Sequence, residues 1–224
     1  MTPDAICVVI PALDEEDTLA ASIRSVREEA EVLVVDGGSR DRTCEVAVLE
    51  GARVLTAPAG RGPQLERGAR EARGEWIVFL HADTRLERGW AAALRALDGA
   101  TVGGAFRFAV DSPRPAFRLL ERAVAARCRL FRLPYGDQAI FVRRGVYGIT
   151  GGVPPIPLME DVAFVRRLRR RGRLAFPASR ALTSPRRWER RGIVATTVQN
   201  LWLFTQYLAG VAPERLAGRY HPRS

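Results

Sequence analysis

Lysine is absent from this chain of 224 residues; all 35 basic side chains are arginine, against 25 acids, for a formal net charge of +10. Without lysine there can be no Schiff base and no Walker-type phosphate loop. The one-sided choice of arginine looks like a genomic bias, so the charge alone is modest evidence for a polyanionic partner. Arginine is nevertheless the side chain best suited to clamp phosphate. Cysteine is scarce too. Cys7, Cys44 and Cys128 stand far apart with no metal-type spacing, and Cys7 lies in an apolar run, as a small buried hydrophobe does. An odd, unpaired set points to a reducing compartment. The opening "MTPDAICVVIPALDEE" reaches acids too soon for a signal peptide, so the expected location is the cytoplasm. No repeat, linker or low-complexity tract interrupts the chain, and its length suits one substantial domain.

What is present is an alternation of strand and helix signals. "AICVVIPA", "EVLVVDGG", "ARVLTAP" and "WIVFLHA" read as four strands, the β-branched ones as buried parallel strands. Between them come a helix with Leu19, Ile23 and Val26 on one face, for which Asp14 is the expected cap, then "SRDRTCEVAVLEG" and "PQLERGAREARGE", the last opened by Pro63. A fourth helix is expected around residues 87–97. The pattern predicts an α/β fold with right-handed crossovers, a mostly parallel, Rossmann-like sheet and helices on both faces. In such sheets ligands bind past the carboxyl ends of the strands. Asp14, Asp36 and the pair His81 and Asp83 fall at three of those ends, which suggests a metal or phosphate site. Farther on, "VGGAFRFAV" and "DQAIFVRRG" look like strands flanking a helix over residues 114–132. "MEDVAFVRRLRRRGR" is a helix with acids at its start and arginines at its end, and "RLAFPA" is the candidate last strand.

Taken in order, "VVIPALDEE", "VLVVDGGSRDRT", "ARGEWIVFLHADTRL" and "PLMEDVAFVRRLRRRG" resemble the family 2 glycosyltransferases of the GT-A fold. Within that family the chain is similar to a compact bacterial group, the radical-SAM/selenodomain-associated transferases, through "VVDGGSRD", "LHADT" and "YGDQAIFVRR". The resemblance implies a GT-A domain whose residues 1–110 bind a nucleotide-sugar and whose residues 111–182 bind the acceptor. A C-terminal basic and helical extension over 183–224 would follow. It also implies a transfer from a nucleotide-diphosphate donor to a hydroxyl or carboxyl, metal-dependent and inverting. A UDP-sugar is expected ahead of a GDP- or dTDP-sugar, with Mn²⁺ or Mg²⁺ as the cation.

Residue by residue, Asp83 takes the place of the second acid of the family's Asp-x-Asp and is the expected metal ligand; capping a helix that starts at "TRLERGW" is its other account. His81 replaces the first acid. Metal ligation, contact with the donor and a structural role all stay open for it. Asp36 is expected on the nucleoside, with Pro11, Leu13 and Glu15 on the loop that wraps the base, although Glu15 also suits a helix's first turn. Arg61 and Gln64 fall in the loop and helix start that, by the resemblance, face the donor, where arginine is a natural phosphate contact, although an exposed arginine in an arginine-rich chain is an equal account. Asp161 matches the general base. Glu160 accompanies it on the acceptor side, two acids in a helix's first turn being the other account of the pair, and Asp137 is assigned to binding the acceptor or the donor sugar.

Residues 192–213 carry no charge and follow the basic "PRRWERRG", which suits a membrane surface or a phosphate-rich substrate. Polar residues spread around this segment disfavour a span. A packed or homodimer-forming helix and a peripheral interfacial helix are the better accounts, the second fitting a lipid-linked acceptor at the inner face of the membrane. Two rivals differ in class. A nucleotidyltransferase would carry a lysine-containing, glycine-rich loop where this chain has "PALDEED". A non-enzymatic nucleic-acid or anionic-surface module would show steeply salt-dependent binding to DNA, and no nucleic-acid partner is expected here.

Overall fold

The computed structural model describes residues 5–220, so the first four residues of the N-terminal stretch and the last four of the C-terminal extension lie outside the described residues. Strands β1 (Ile6–Ala12), β2 (Glu31–Asp36), β3 (Arg53–Thr56) and β4 (Trp76–Phe79) are parallel in the order β3-β2-β1-β4. β8 (Ile140–Arg143) then enters antiparallel to β4, followed by β6 (Thr101–Ala105) and β9 (Arg173–Ala175). Every residue of β1 is buried, as befits a central strand covered on both faces. Its alternate side chains serve two cores. Ile6, Val8 and Ile10 meet Leu19 and Ile23 of α1 (Leu19–Arg24), and Cys7 and Val9 meet Leu65 and Ala69 of α3 (Arg61–Glu71). Full burial of side chains such as Leu19 and Ile23 contributes about 1.5–3 kcal/mol each, and an Ile23→Ala cavity would cost about 2–5 kcal/mol.

Several expectations need correction. Asp14 does not cap α1, whose N-cap is Thr18. Instead it adopts φ 53°, donates its N–H to Ser39 Oγ and accepts the Arg40 N–H, which ties the loop after β1 to the loop after β2. Helix α3 begins at Arg61, with Pro63 inside its first turn. The segment expected to lead into a helix at 87 instead forms β5 (Thr84–Leu86), and α4 is confined to Trp90–Arg95. Asp83 therefore precedes a strand, and its helix-cap account fails. "VGGAFRFAV" is broken at Phe106 into β6 and β7 (Arg107–Val110). The last strand is not β9 but β10 (Arg180–Thr183), which joins β5 and β7 in a second, three-stranded sheet.

The remaining helices are α2 (Thr43–Leu49), α5 (Pro115–Phe131), α6 (Arg144–Ile149) and α7 (Glu160–Leu168). A C-terminal trio follows, α8 (Arg186–Arg191), α9 (Ile193–Leu208) and α10 (Pro213–Tyr220). The trio folds back onto the domain, where Leu203 and Leu216 bury against Leu158. Among the described residues no helix is long and apolar enough to cross a membrane.

Candidate active site

The carboxyl ends of β1, β2 and β4 share one edge of the large sheet. Register pairs Ala12 with Asp36, and the Gly37 N–H donates to the Ala12 carbonyl. Above this edge opens a cavity of about 530 Å³, within the usual range for small-molecule sites. Nine of the eleven residues that the resemblance assigns to the site line it: Pro11, Leu13, Glu15, Arg61, Gln64, His81, Asp83, Asp137 and Asp161; the strand-end Asp14 does not. Asp36 and Glu160, 5% and 1% exposed, are not among its lining residues.

Asp36 accepts the N–H groups of Gly38 and Ser39 and the Ser39 hydroxyl, so its carboxylate shapes the turn that follows β2. Gln64 is likewise committed: its Nε2 donates to the carbonyls of Ala12 and Val35 and pins α3 across the ends of β1 and β2. Arg61 Nε lies 2.8 Å from Glu160 Oε1. Burial pushes the Glu160 carboxyl up to about 7 against the pull of Arg61, and its Oε2 has no hydrogen-bond partner among the described residues.

His81 is pushed down to about 4, first by burial and then by the Arg61 charge, with Asp83 and Asp161 opposing. Its imidazole is therefore neutral near pH 7, the form that ligates a metal or accepts a hydrogen bond. Gly136 lies against it, where an added Cβ would come within 2.9 Å of His81 Nε2 and 3.3 Å of Asp161 Oδ2. That close approach lets the Gly136 N–H donate to Asp161 Oδ2 at 2.7 Å, while Asp161 Oδ1 accepts the Val162 N–H at the start of α7. Asp137 stands next in the chain. Its Oδ1 is buried without a partner among the described residues, and burial, aided by Asp161, pushes it up to about 6 against Arg127, Arg61 and Arg187.

The far wall comes from the C-terminal trio, a contribution the sequence motifs did not disclose. Arg187, Trp188, Asn200, Leu203, Phe204 and Tyr220 line the cavity, as does Tyr135, whose ring is covered by Arg127 and meets Phe204. Arg186 binds both oxygens of Glu15, at 2.7 and 2.5 Å, and comes within 3.4 Å of Asp83 Oδ2. The one signal in the sequence was the basic run "PRRWERRG", whose charge suited a phosphate-rich ligand without saying which arginines turn inward.

A divalent cation fits Asp83 in one mode only. Among the described residues no three His, Cys, Asp or Glu side chains are grouped to hold a metal. Asp83 lines the cavity and pairs with Arg186 through one oxygen at 3.4 Å, so its carboxylate can still take a hard cation whose other ligands are substrate oxygens and water. Mg²⁺ and Mn²⁺ at phosphate sites are commonly held with so few carboxylates.

The model of Glycosyl transferase family 2 matches residues 7–134, more than half of the chain. Glycosyltransferase AglJ of Haloferax volcanii is 35% identical over 106 residues, covering 46% of this chain and 34% of the relative. The chain thus spans about a third of that relative's length. Among solved structures, glucosyl-3-phosphoglycerate synthase from Mycobacterium tuberculosis, in complex with Mn²⁺, uridine-diphosphate and glucosyl-3-phosphoglycerate, superposes with a TM-score of 0.57 at 22% identity. That match covers 80% of this chain and 71% of the synthase. A mannosyltransferase from Pyrobaculum calidifontis in complex with GDP-Man and Mn²⁺ gives 0.60 at 18% identity, over 80% and 56% of the two chains. At these identities the likeness shows the fold, an α/β GT-A architecture with a mostly parallel sheet.

Proposed function

The chain belongs to glycosyl transferase family 2, and we propose that it moves a sugar from a nucleotide-diphosphate donor to an acceptor hydroxyl or carboxyl, with inversion. The observation that carries this reading is the meeting of Asp83, His81, Asp137 and Asp161 in one cavity at the carboxyl edge of the matched sheet. Residues 1–110 hold the donor, 111–182 the acceptor, and the extension over 183–224 closes the site. Asp83, with His81 beside it, holds a divalent cation, Mn²⁺ or Mg²⁺, which when bound neutralises charge on the diphosphate oxygens. Pro11, Leu13 and Glu15 flank the nucleoside, for which UDP is preferred over GDP or dTDP. Asp36 acts there through the Gly38–Ser39 turn that it organises. Asp161 takes the proton from an acceptor hydroxyl as the hydroxyl oxygen bonds to the anomeric carbon and the bond from that carbon to the phosphate oxygen breaks, releasing the nucleoside diphosphate. The Gly136 N–H keeps the Asp161 carboxylate aimed. Asp137 and Glu160 shape the acceptor side. The motifs shared with the compact radical-SAM/selenodomain-associated group support placing the chain there, and the uncharged segment over 192–213 behind a basic run supports a lipid-linked acceptor at the cytoplasmic face of the membrane.

A thermal-shift screen of UDP-, GDP- and dTDP-sugars with and without Mn²⁺ identifies the donor, and nucleotide release from that donor then reads turnover. Asp161→Asn should lower turnover by about 10²–10⁴-fold, the range for loss of a general base, with donor affinity unchanged. Full turnover in that variant would sink the assignment of Asp161. Silence toward every nucleotide in the screen would remove the reading as a whole.

A further inference from the structure

Arg61 and Arg187 line the cavity and Arg186 stands beside Asp83; of these three, two are matched by acids. Arg61 pairs with Glu160, and Arg186 with Glu15 and, more distantly, Asp83. Arg187 differs. Among the described residues it has no carboxylate partner; it is held by neutral groups, donating to Asn200 Oδ1 at 3.0 Å and lying 4.7 Å from the centroid of the Tyr220 ring. Such partners orient a guanidinium without cancelling its charge, as in preorganised anion sites. The backbone fixes its position next to the acid expected to hold the cation. The Ser184 N–H donates to the Asp83 carbonyl, so α8 starts beside Asp83 and its second residue, Arg187, faces the cavity. Arg187 lines the same cavity as His81, Asp83, Asp137 and Asp161, so it faces the groups at the centre of the site.

Resting on the nucleotide-sugar reading above, we infer that Arg187 is a donor-binding residue: its guanidinium contacts the phosphate oxygens of the nucleoside diphosphate, next to the place where Asp83 is expected to hold the cation. There it neutralises charge that grows on the diphosphate as the sugar leaves, and it requires no metal to do so. The C-terminal trio is then part of the donor site and not only a cover for it.

The test is calorimetric titration of the full chain with UDP and with uridine, in EDTA and again with Mn²⁺. Arg187→Ala should weaken UDP by about ten- to a hundredfold, as expected for loss of a charge-assisted contact, in both media, and leave uridine unchanged. Arg187→Gln retains a donor for Asn200 while losing the charge. It should show the same split, and it guards against a fold defect in the alanine variant, with circular dichroism as the check. UDP binding equal to wild type in the two variants would overturn the inference. Equal losses for UDP and uridine would also overturn it, since the residue would then shape the nucleoside pocket. A wild-type chain that binds neither UDP nor GDP in either medium removes the donor reading itself, an outcome distinct from unchanged variants of a chain that does bind.

Discussion

Asp137 sits beside Asp161 with one carboxyl oxygen buried and unpartnered among the described residues, and this has a consequence for stability. Its folded pKa of about 6 lies above the ordinary value near 3.8, because burial and Asp161 disfavour the charge more than Arg127, Arg61 and Arg187 favour it. A raised carboxyl contributes stability that is fully present below the unfolded pKa and is lost as pH rises through the folded one. Asp137→Asn is free of that loss. Its stability relative to wild type should therefore grow by about 1–3 kcal/mol between pH 4 and pH 7, read from denaturant titrations at fixed ionic strength. A difference that stays flat across this window would show that the carboxyl is not held up. At this scale the sequence was informative about residue types but not about their commitments. Acids at strand ends announced the cavity, since β-strand ends at one sheet edge must converge. That Asp36 and Gln64 spend their polar atoms on backbone groups, and that Arg61 is matched by Glu160, depends on loop paths that no spacing rule reveals.

Helix α3 carries Arg61 and Gln64 to the cavity, and its depth over the sheet is set by a glycine. A Cβ built at Gly68 would lie 2.3 Å from Val9 Cγ1 and 3.0 Å from Val35 Cγ2, both in central strands. Gly68→Ala should accordingly destabilise the fold by about 1–3 kcal/mol through overpacking, measured as a lower urea midpoint with unchanged slope. Adding Val9→Ala should recover part of that loss, because the two sites share one contact; strictly additive losses would place the strain elsewhere. The long periodic elements around this contact were legible because burial on both faces writes β-branched runs and burial on one writes the helical stripe of Leu19 and Ile23; Val26, expected on the same helix face, is buried in the turn just past the end of α1 at Arg24. The second sheet was not. β5 and β10 are three and four residues long, mix arginine and threonine with one and two apolar residues, and are strands because of their partners. Asp14 deceived for a related reason: an acid before a helical stripe looks like a cap, yet here it answers the Ser39–Arg40 backbone from a left-handed conformation.

For the molecule as a whole, the uncharged segment at 192–213 poses the question of what lies outside the cavity. One face of α9 is used internally, with Thr196 and Leu203 buried. The opposite face presents Val194, Val198, Leu201 and Leu208, between 53% and 75% exposed and spaced at helical intervals. Arg190 and Arg191 stand exposed just before this stripe, and the Arg219 guanidinium lies 5.3 Å from the centroid of the partly exposed Trp202 ring. An apolar stripe flanked by arginines and an aromatic, on a chain of formal charge +10, is the pattern of a helix lying in an anionic lipid interface. Co-sedimentation should therefore show binding to vesicles rich in phosphatidylglycerol and not to phosphatidylcholine alone, weakening as salt screens the arginines. Val198→Glu and Leu201→Glu should each abolish it while leaving UDP affinity unchanged, since neither residue lines the cavity. If the wild type ignores both vesicles and sediments as a dimer that Val198→Glu dissociates, the stripe belongs to a homodimer. The lipid-linked acceptor then loses its support from this surface, because the side chains that would meet lipid are already spent on a second copy.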